Sequence, residues 1–246
     1  MKSDFQNDGD INSLKKQSRI AALLYFVAGL PAPFALLYVP SVLIVRGDAA
    51  ATANNVRNSE LLLRLGMAGE LFTATLVIFA ILAFYHLFKA TSPKSAMAMM
   101  ILFLITIPMS YLNVLNDLAA ITFARGPEFL SSVGQSERDA FVLFFLRLHN
   151  QGLTLAQIFW GLWLFPFGIA VMRSGFIPRF VGIAEMIAGF GYVISSLVFL
   201  FLPASAQSIG QLAQILGVGE FAGLWLLIYG AKPQPRASAH PALSTA

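Results

Sequence analysis

Residues Leu61–Phe88 read LLLRLGMAGELFTATLVIFAILAFYHLF, 28 positions in which Arg64 and Glu70 are the only formal charges. A bilayer core about 30 Å thick is crossed by about 20 helical residues at about 1.5 Å each. The stretch is long enough to cross, and it lacks the alternation of a membrane strand. Five further stretches repeat the pattern: Ile20–Val45, Ala96–Phe123, Phe141–Met172, Phe180–Leu202 and Ile209–Gly230. The sequence therefore predicts an all-α, polytopic bundle of six transmembrane helices.

Composition agrees. Hydrophobic residues make up 57 % of the 246 and charged residues 11 %, against roughly 25 % charged in soluble domains. The chain has no cysteine, which excludes disulfides and thiolate chemistry. A polar start followed by a long apolar run without a small-residue cleavage site predicts a retained first span and not a removed signal peptide. The expected organisation is a polar tail over residues 1–18, a six-helix domain over 19–231 and a second tail over 232–246.

Lys and Arg concentrate in cytoplasmic loops. With the N-terminus inside, the inner segments hold Lys2, Lys15, Lys16, Arg19, Lys89, Lys94, Arg173, Arg179, Lys232 and Arg236, and the outer loops hold Arg46, Arg57, Arg125 and Arg138. Ten against four predicts both termini in the cytoplasm, in a multi-pass protein of the cell inner membrane. The basic balance suits an anionic lipid surface. No basic domain stands apart from the spans, so nucleic acid is not an expected partner. The bilayer is; an oligomeric or protein partner is not readable.

Local signals refine the helices. Asp48 is placed to cap a helix from Ala49 running on through Glu60 into the second span. Ser136 with Asp139 has capping-box spacing and opens a helix reaching Met172, with a bend at Pro166. Pro93 falls at a first helical position. Pro31 and Pro33 interrupt the first span and free backbone carbonyls there, which predicts a break lining a cavity or a packing kink.

Ionisable groups inside spans are costly and each needs a reason. Counted from the inner basic anchors, Glu70, Asn113 and Gln151 lie ~28–33 Å up, with Arg64, Asn116, Asp117, Arg147, His149 and Asn150 slightly farther out. Thr106, Ser110, Asn113 and Asp117 form one stripe on the third span. Arg147, Asn150, Gln151, Thr154 and Gln157 form another on the fourth. Both are expected to face inward. His149 falls on the opposite side of its helix, with Gly152, Ala156 and Trp160. One expectation is a structural network in which Arg64 and Arg147 neutralise Glu70 and Asp117. The other is an outward-opening pocket for a small polar or anionic solute, with Arg64, Glu70, Asn113, Asp117, Arg147, Asn150, Gln151 and Gln157 as its ligand-binding residues. Glu220, the deepest acid, sits among Gly217, Gly219 and Gly223 and is the candidate for proton coupling.

No histidine pair has ligand spacing, and no Walker loop, dinucleotide fingerprint or nucleophile elbow is present. The sequence therefore predicts no metal, no cofactor and no catalytic residue. Binding or transport of a solute ranks first, a structural or regulatory membrane subunit second. An intramembrane hydrolase using Asp117, Glu70 and His149 comes third and requires those side chains to converge.

Four stretches carry a resemblance. They are Arg19-Ile-Ala-Ala-Leu-Leu-Tyr25 with Gly29-Leu-Pro-Ala-Pro-Phe34; Gly47-Asp-Ala-Ala-Ala-Thr-Ala-Asn54; Leu148-His-Asn-Gln-Gly152 running into Ala156-Gln-Ile-Phe-Trp-Gly-Leu-Trp163; and Ser174-Gly-Phe-Ile-Pro178. Over about residues 15–232 the chain resembles the uncharacterised bacterial integral membrane proteins grouped as domain of unknown function 4386. The resemblance implies a membrane location and brings no activity and no site residue with it.

Overall fold

The computed structural model describes residues 8–202 and 221–231, which form helices and no strand. The first span is interrupted. Helix α1 (Asp8–Gly29) breaks at Leu30–Pro31, continues as a π-helical segment (Pro33–Tyr38) and ends in the short α2 (Val39–Leu43). Pro31 has no amide to offer, and the Val27 carbonyl accepts instead from the Leu30 N–H at 3.3 Å. One turn from the break, the Thr73 hydroxyl donates to the Ala28 carbonyl at 2.7 Å, so a neighbouring helix meets the disturbed backbone, as an apolar medium demands.

Helix α3 (Ala49–Asn58) is capped as expected, with Asp48 Oδ1 accepting the Ala51 N–H at 2.8 Å. It does not run unbroken into the second span: Ser59, at φ −127° and ψ 36°, separates it from α4 (Glu60–Phe88). The third span is α5 (Pro93–Leu104) and α6 (Thr106–Arg125), offset at Ile105 just ahead of Pro108. Pro93 opens α5 as expected.

The fourth span joins α7 (Gln135–Leu162) to α8 (Leu164–Ser174), interrupted at Trp163 where the missing amide N–H of Pro166 leaves the Leu162 carbonyl without its helical donor. Its start corrects the sequence reading. Gly134 is the capping position, and the Glu137 carboxylate accepts the Gly134 N–H at 2.9 Å. Asp139 is drawn away to Arg57, at 2.8 Å, and to Gln135, also at 2.8 Å. Helices α9 (Arg179–Phe201) and α10 (Phe221–Tyr229) complete the described chain.

Five of these units are long and apolar enough to cross a membrane: Asn12–Leu43, Glu60–Phe88, Pro93–Arg125, Gln135–Ser174 and Arg179–Phe201. Of the sixth expected stretch, Ile209–Gly230, only α10 lies within the described residues; it packs on α1 and α9. Large apolar side chains such as Phe26, Leu37, Phe79, Leu112 and Phe190 are exposed, which suits a surface solvated by lipid. The chain is a multi-pass integral membrane protein.

Two interfaces fix the fourth span in the bundle. On the α7–α8 side of α9, a Cβ on Gly161 would lie 2.5 Å from the Gly189 carbonyl oxygen, and one on Gly168 the same distance from that of Gly182. Backbones touch twice, the close approach that small residues allow between membrane helices. Between α6 and α7 the contact is polar, with the Asn113 side chain donating to the His149 carbonyl.

Candidate functional site

Glu70 of α4, Asp117 of α6 and His149 of α7 converge. His149 Nε2 lies 3.3 Å from Glu70 Oε1, and Nδ1 lies 3.0 Å from Asp117 Oδ2. The three side chains are 8 % (His149), 12 % (Glu70) and 5 % (Asp117) exposed. Asp117 shares the buried face of α6 with Val114, Ala120 and Ile121, and His149 that of α7 with Leu146 and Ala156. The Nδ1 contact is an ion-pair approach lying off hydrogen-bond alignment.

Asn113 sets the spacing of the two helices. Its Nδ2 donates to the His149 carbonyl at 3.0 Å, and its Oδ1 accepts from Asn116 at 3.1 Å. The amide occupies the space a side chain at Gly152 would need. Glycine at 152 is therefore what admits Asn113 and brings Asp117 onto the imidazole.

No Lys or Arg pairs with this cluster among the described residues. Arg64 is bound to Glu60 at 2.6 Å, and Glu60 also takes Arg125 through two bonds of 2.7 Å. Arg147 is exposed. The expected neutralisation of Glu70 and Asp117 by these arginines does not occur. Three arginines of this end serve a separate set of ion pairs: Arg64 and Arg125 with Glu60, and Arg57 with Asp139.

Two cavities meet at Glu70. The smaller, about 20 Å³, is lined by Glu70, Asp117, His149 and Asn150 with apolar groups of the first span; it is large enough for one water. The larger, about 350 Å³, lies between α1 with the π segment, α4, the third span, α7 and α9. Its walls include Tyr25, Phe103, Trp160, Trp163 and Tyr192, with Thr73, Thr106, Ser110 and Glu70 as polar points. Ala32, Ala35 and Leu36, beside the two prolines, close one side. The volume falls within the range of small-molecule sites, and so does the mix of apolar wall and few polar groups.

Glu70, Asp117 and His149 offer ligand atoms within 4.8 Å of one another. The carboxylates flank opposite ring nitrogens, so an ion on either nitrogen would have one carboxylate beside it. That geometry is closer to a carboxylate–imidazole–carboxylate relay than to a metal cage, which needs its donors to converge on one point.

The structure brings Glu70, Asp117, Asn113 and Asn150 together and leaves out other residues expected to join them. Arg64 is tied to Glu60, Arg147 and Gln151 are exposed, and Gln157 is half-buried and lines neither cavity. Glu220 lies outside the described residues. The third-span stripe does face inward, Thr106 and Ser110 into the larger cavity and Asp117 into the smaller. On the fourth span the inward face is the other one: His149, Gly152, Ala156 and Trp160. The signal that finds it is the small residues at helical spacing, which mark the side another helix approaches.

Over residues 20–230 the chain matches the family described as domain of unknown function 4386, and it belongs to that family. No curated protein and no solved structure is significantly similar to it.

Proposed function

We propose that this chain is a membrane-embedded binding protein, and by its cavity and broken helix a carrier, for a small polar solute held in the 350 Å³ space. The observation that supports it most is Glu70, a carboxylate deep in the bundle that borders both cavities and has no arginine or lysine partner among the described residues. A carboxylate in such a place is expensive to keep without a task. The interrupted first span, whose π turns wall the cavity, fits the discontinuous helices that line carrier sites. Both termini on the cytoplasmic side and a location in the cell inner membrane complete the reading, with access from the outer face.

The absence of cysteine from the sequence makes access directly testable. Thr73→Cys and Ser110→Cys, both on the cavity wall, should react with a small, membrane-impermeant methanethiosulfonate added from outside. Ala80→Cys, fully buried, should not. Wall cysteines that stay as inert as the control would show the space closed to water and would overturn the proposal.

A further inference from the structure

We infer that the solute is a small organic cation, with Glu70 as its counter-ion, and that its binding displaces a proton from the Glu70–His149–Asp117 relay. This rests on the proposed solute cavity and names the ligand class it takes. Tyr25 and Trp163 stand with ring centroids 6.2 Å apart, Phe103 and Trp163 at 4.9 Å and Trp160 and Tyr192 at 6.4 Å. All five rings line the cavity that Glu70 borders. Ring faces attract cations, and a desolvated alkylammonium is the ligand such walls hold best. An anion would meet one carboxylate and no Lys or Arg among the cavity's lining residues.

Charge balance supplies the coupling. The ionisable groups lining the two cavities are Glu70 on α4, Asp117 on α6, His149 on α7, Tyr25 on α1 and Tyr192 on α9. Glu185 of α9 is buried but borders neither cavity. Two carboxylates and one imidazole are neutral together when they hold two protons beyond the fully deprotonated cluster, and net charge inside a bilayer is strongly penalised. A monovalent cation arriving at Glu70 restores neutrality by releasing one of those protons. His149 lies between the two carboxylates, 3.3 Å from Glu70 and 3.0 Å from Asp117, so the remaining proton stays within the cluster.

Three molecules of one outline test this: choline; neohexyl alcohol, with carbon in place of the ammonium nitrogen; and tert-butylacetate, the corresponding anion. Binding is read from the fluorescence of Trp160 and Trp163 in purified protein carrying Trp225→Phe, which removes the third tryptophan. Choline should bind at least tenfold more tightly than the alcohol, and the anion more weakly than both. Release of one proton makes choline binding tenfold weaker per pH unit of acidification while the relay is protonated. Glu70→Gln should bring choline down to the alcohol's affinity and abolish the pH slope. Should that variant not fold, the wild-type series decides alone.

Choline without advantage over the alcohol, or without binding, overturns the cation; choline binding independent of pH overturns the proton exchange. Either result with labelled wall cysteines leaves the solute cavity standing. Unlabelled cysteines and no binding of any probe would end both.

Discussion

The carboxamide of Asn113 lies over Gly152, in the space a side chain there would take, and hands its N–H to the carbonyl of His149. One asparagine thus fixes how near α6 comes to α7 at the level of the relay, and Asp117, one turn further along α6, meets His149 as a result.

Gly152→Ala should push Asn113 off its seat. Inserting a methyl into a filled site costs about 1–3 kcal/mol, read as reduced stability in reversible unfolding from detergent. Pairing it with Asn113→Ala should return part of that loss, since the small side chain clears the collision. Two losses that simply add would show that the contact does not couple the helices.

Gly168 and Gly182 oppose each other backbone to backbone across α8 and α9. Gly182→Ala is expected to cost about 1–3 kcal/mol by overpacking, and Gly182→Leu to prevent folding. Gly29, whose added Cβ would meet nothing within 4 Å, is the control: Gly29→Ala should leave stability nearly unchanged. A tolerant Gly182 would argue against the close crossing.

Thr73→Val keeps the outline of the side chain and removes the hydroxyl that serves the Ala28 carbonyl. Interhelical hydrogen bonds in membranes average about 0.6 kcal/mol and reach about 1.7 kcal/mol; this one, beside a proline break, belongs toward the upper end. Thr122→Val, which removes a bond to Leu118 within the same helix, should cost less. The two variants are compared in the same unfolding assay.

Arg57 and Asp139 bridge α3 and α7, with the carboxylate side chain 9 % exposed and the guanidinium 32 %. Breaking a fully buried pair costs about 3–5 kcal/mol. Partial exposure of Arg57 and the retained bond from Gln135 lower the expectation for Arg57→Ala to about 1.5 kcal/mol. Arg125→Ala, on the exposed side of Glu60, should have the smaller effect, and salt should weaken it more. Equal losses would count against burial as the deciding factor.

The membrane class is readable in the sequence because hydropathy over about 20 residues is a strong, additive signal. Two of the breaks are readable too, since Pro31 and Pro166 each act within one turn of themselves, but those at Ser59 and Ile105 are not. The side of α7 that faces inward is not readable by counting polar groups. Arg147 and Gln151 look functional in a string of letters, yet they are exposed and line neither cavity, and the same count puts the buried histidine on the far side. Periodicity gives the angle between residues on one helix but not which angle the neighbours occupy. Gly152 holds that information, since it marks where Asn113 enters. The partners of Glu60 are equally hidden, because Arg125 is 65 positions away and meets it only after the second and third spans have packed together.

The π turns from Pro33 to Tyr38 set the rotational phase of the residues that follow them. In an ordinary helix each residue advances the face by about 100°, so one residue gained or lost there would swing Val39, Leu43 and the lead into Asp48 around the axis and carry the cavity wall with them. Substitutions at Ala32, Ala35 or Leu36 alter the bore while leaving that phase intact. A change of side chain at this wall therefore resizes the space, whereas a change of chain length would turn it.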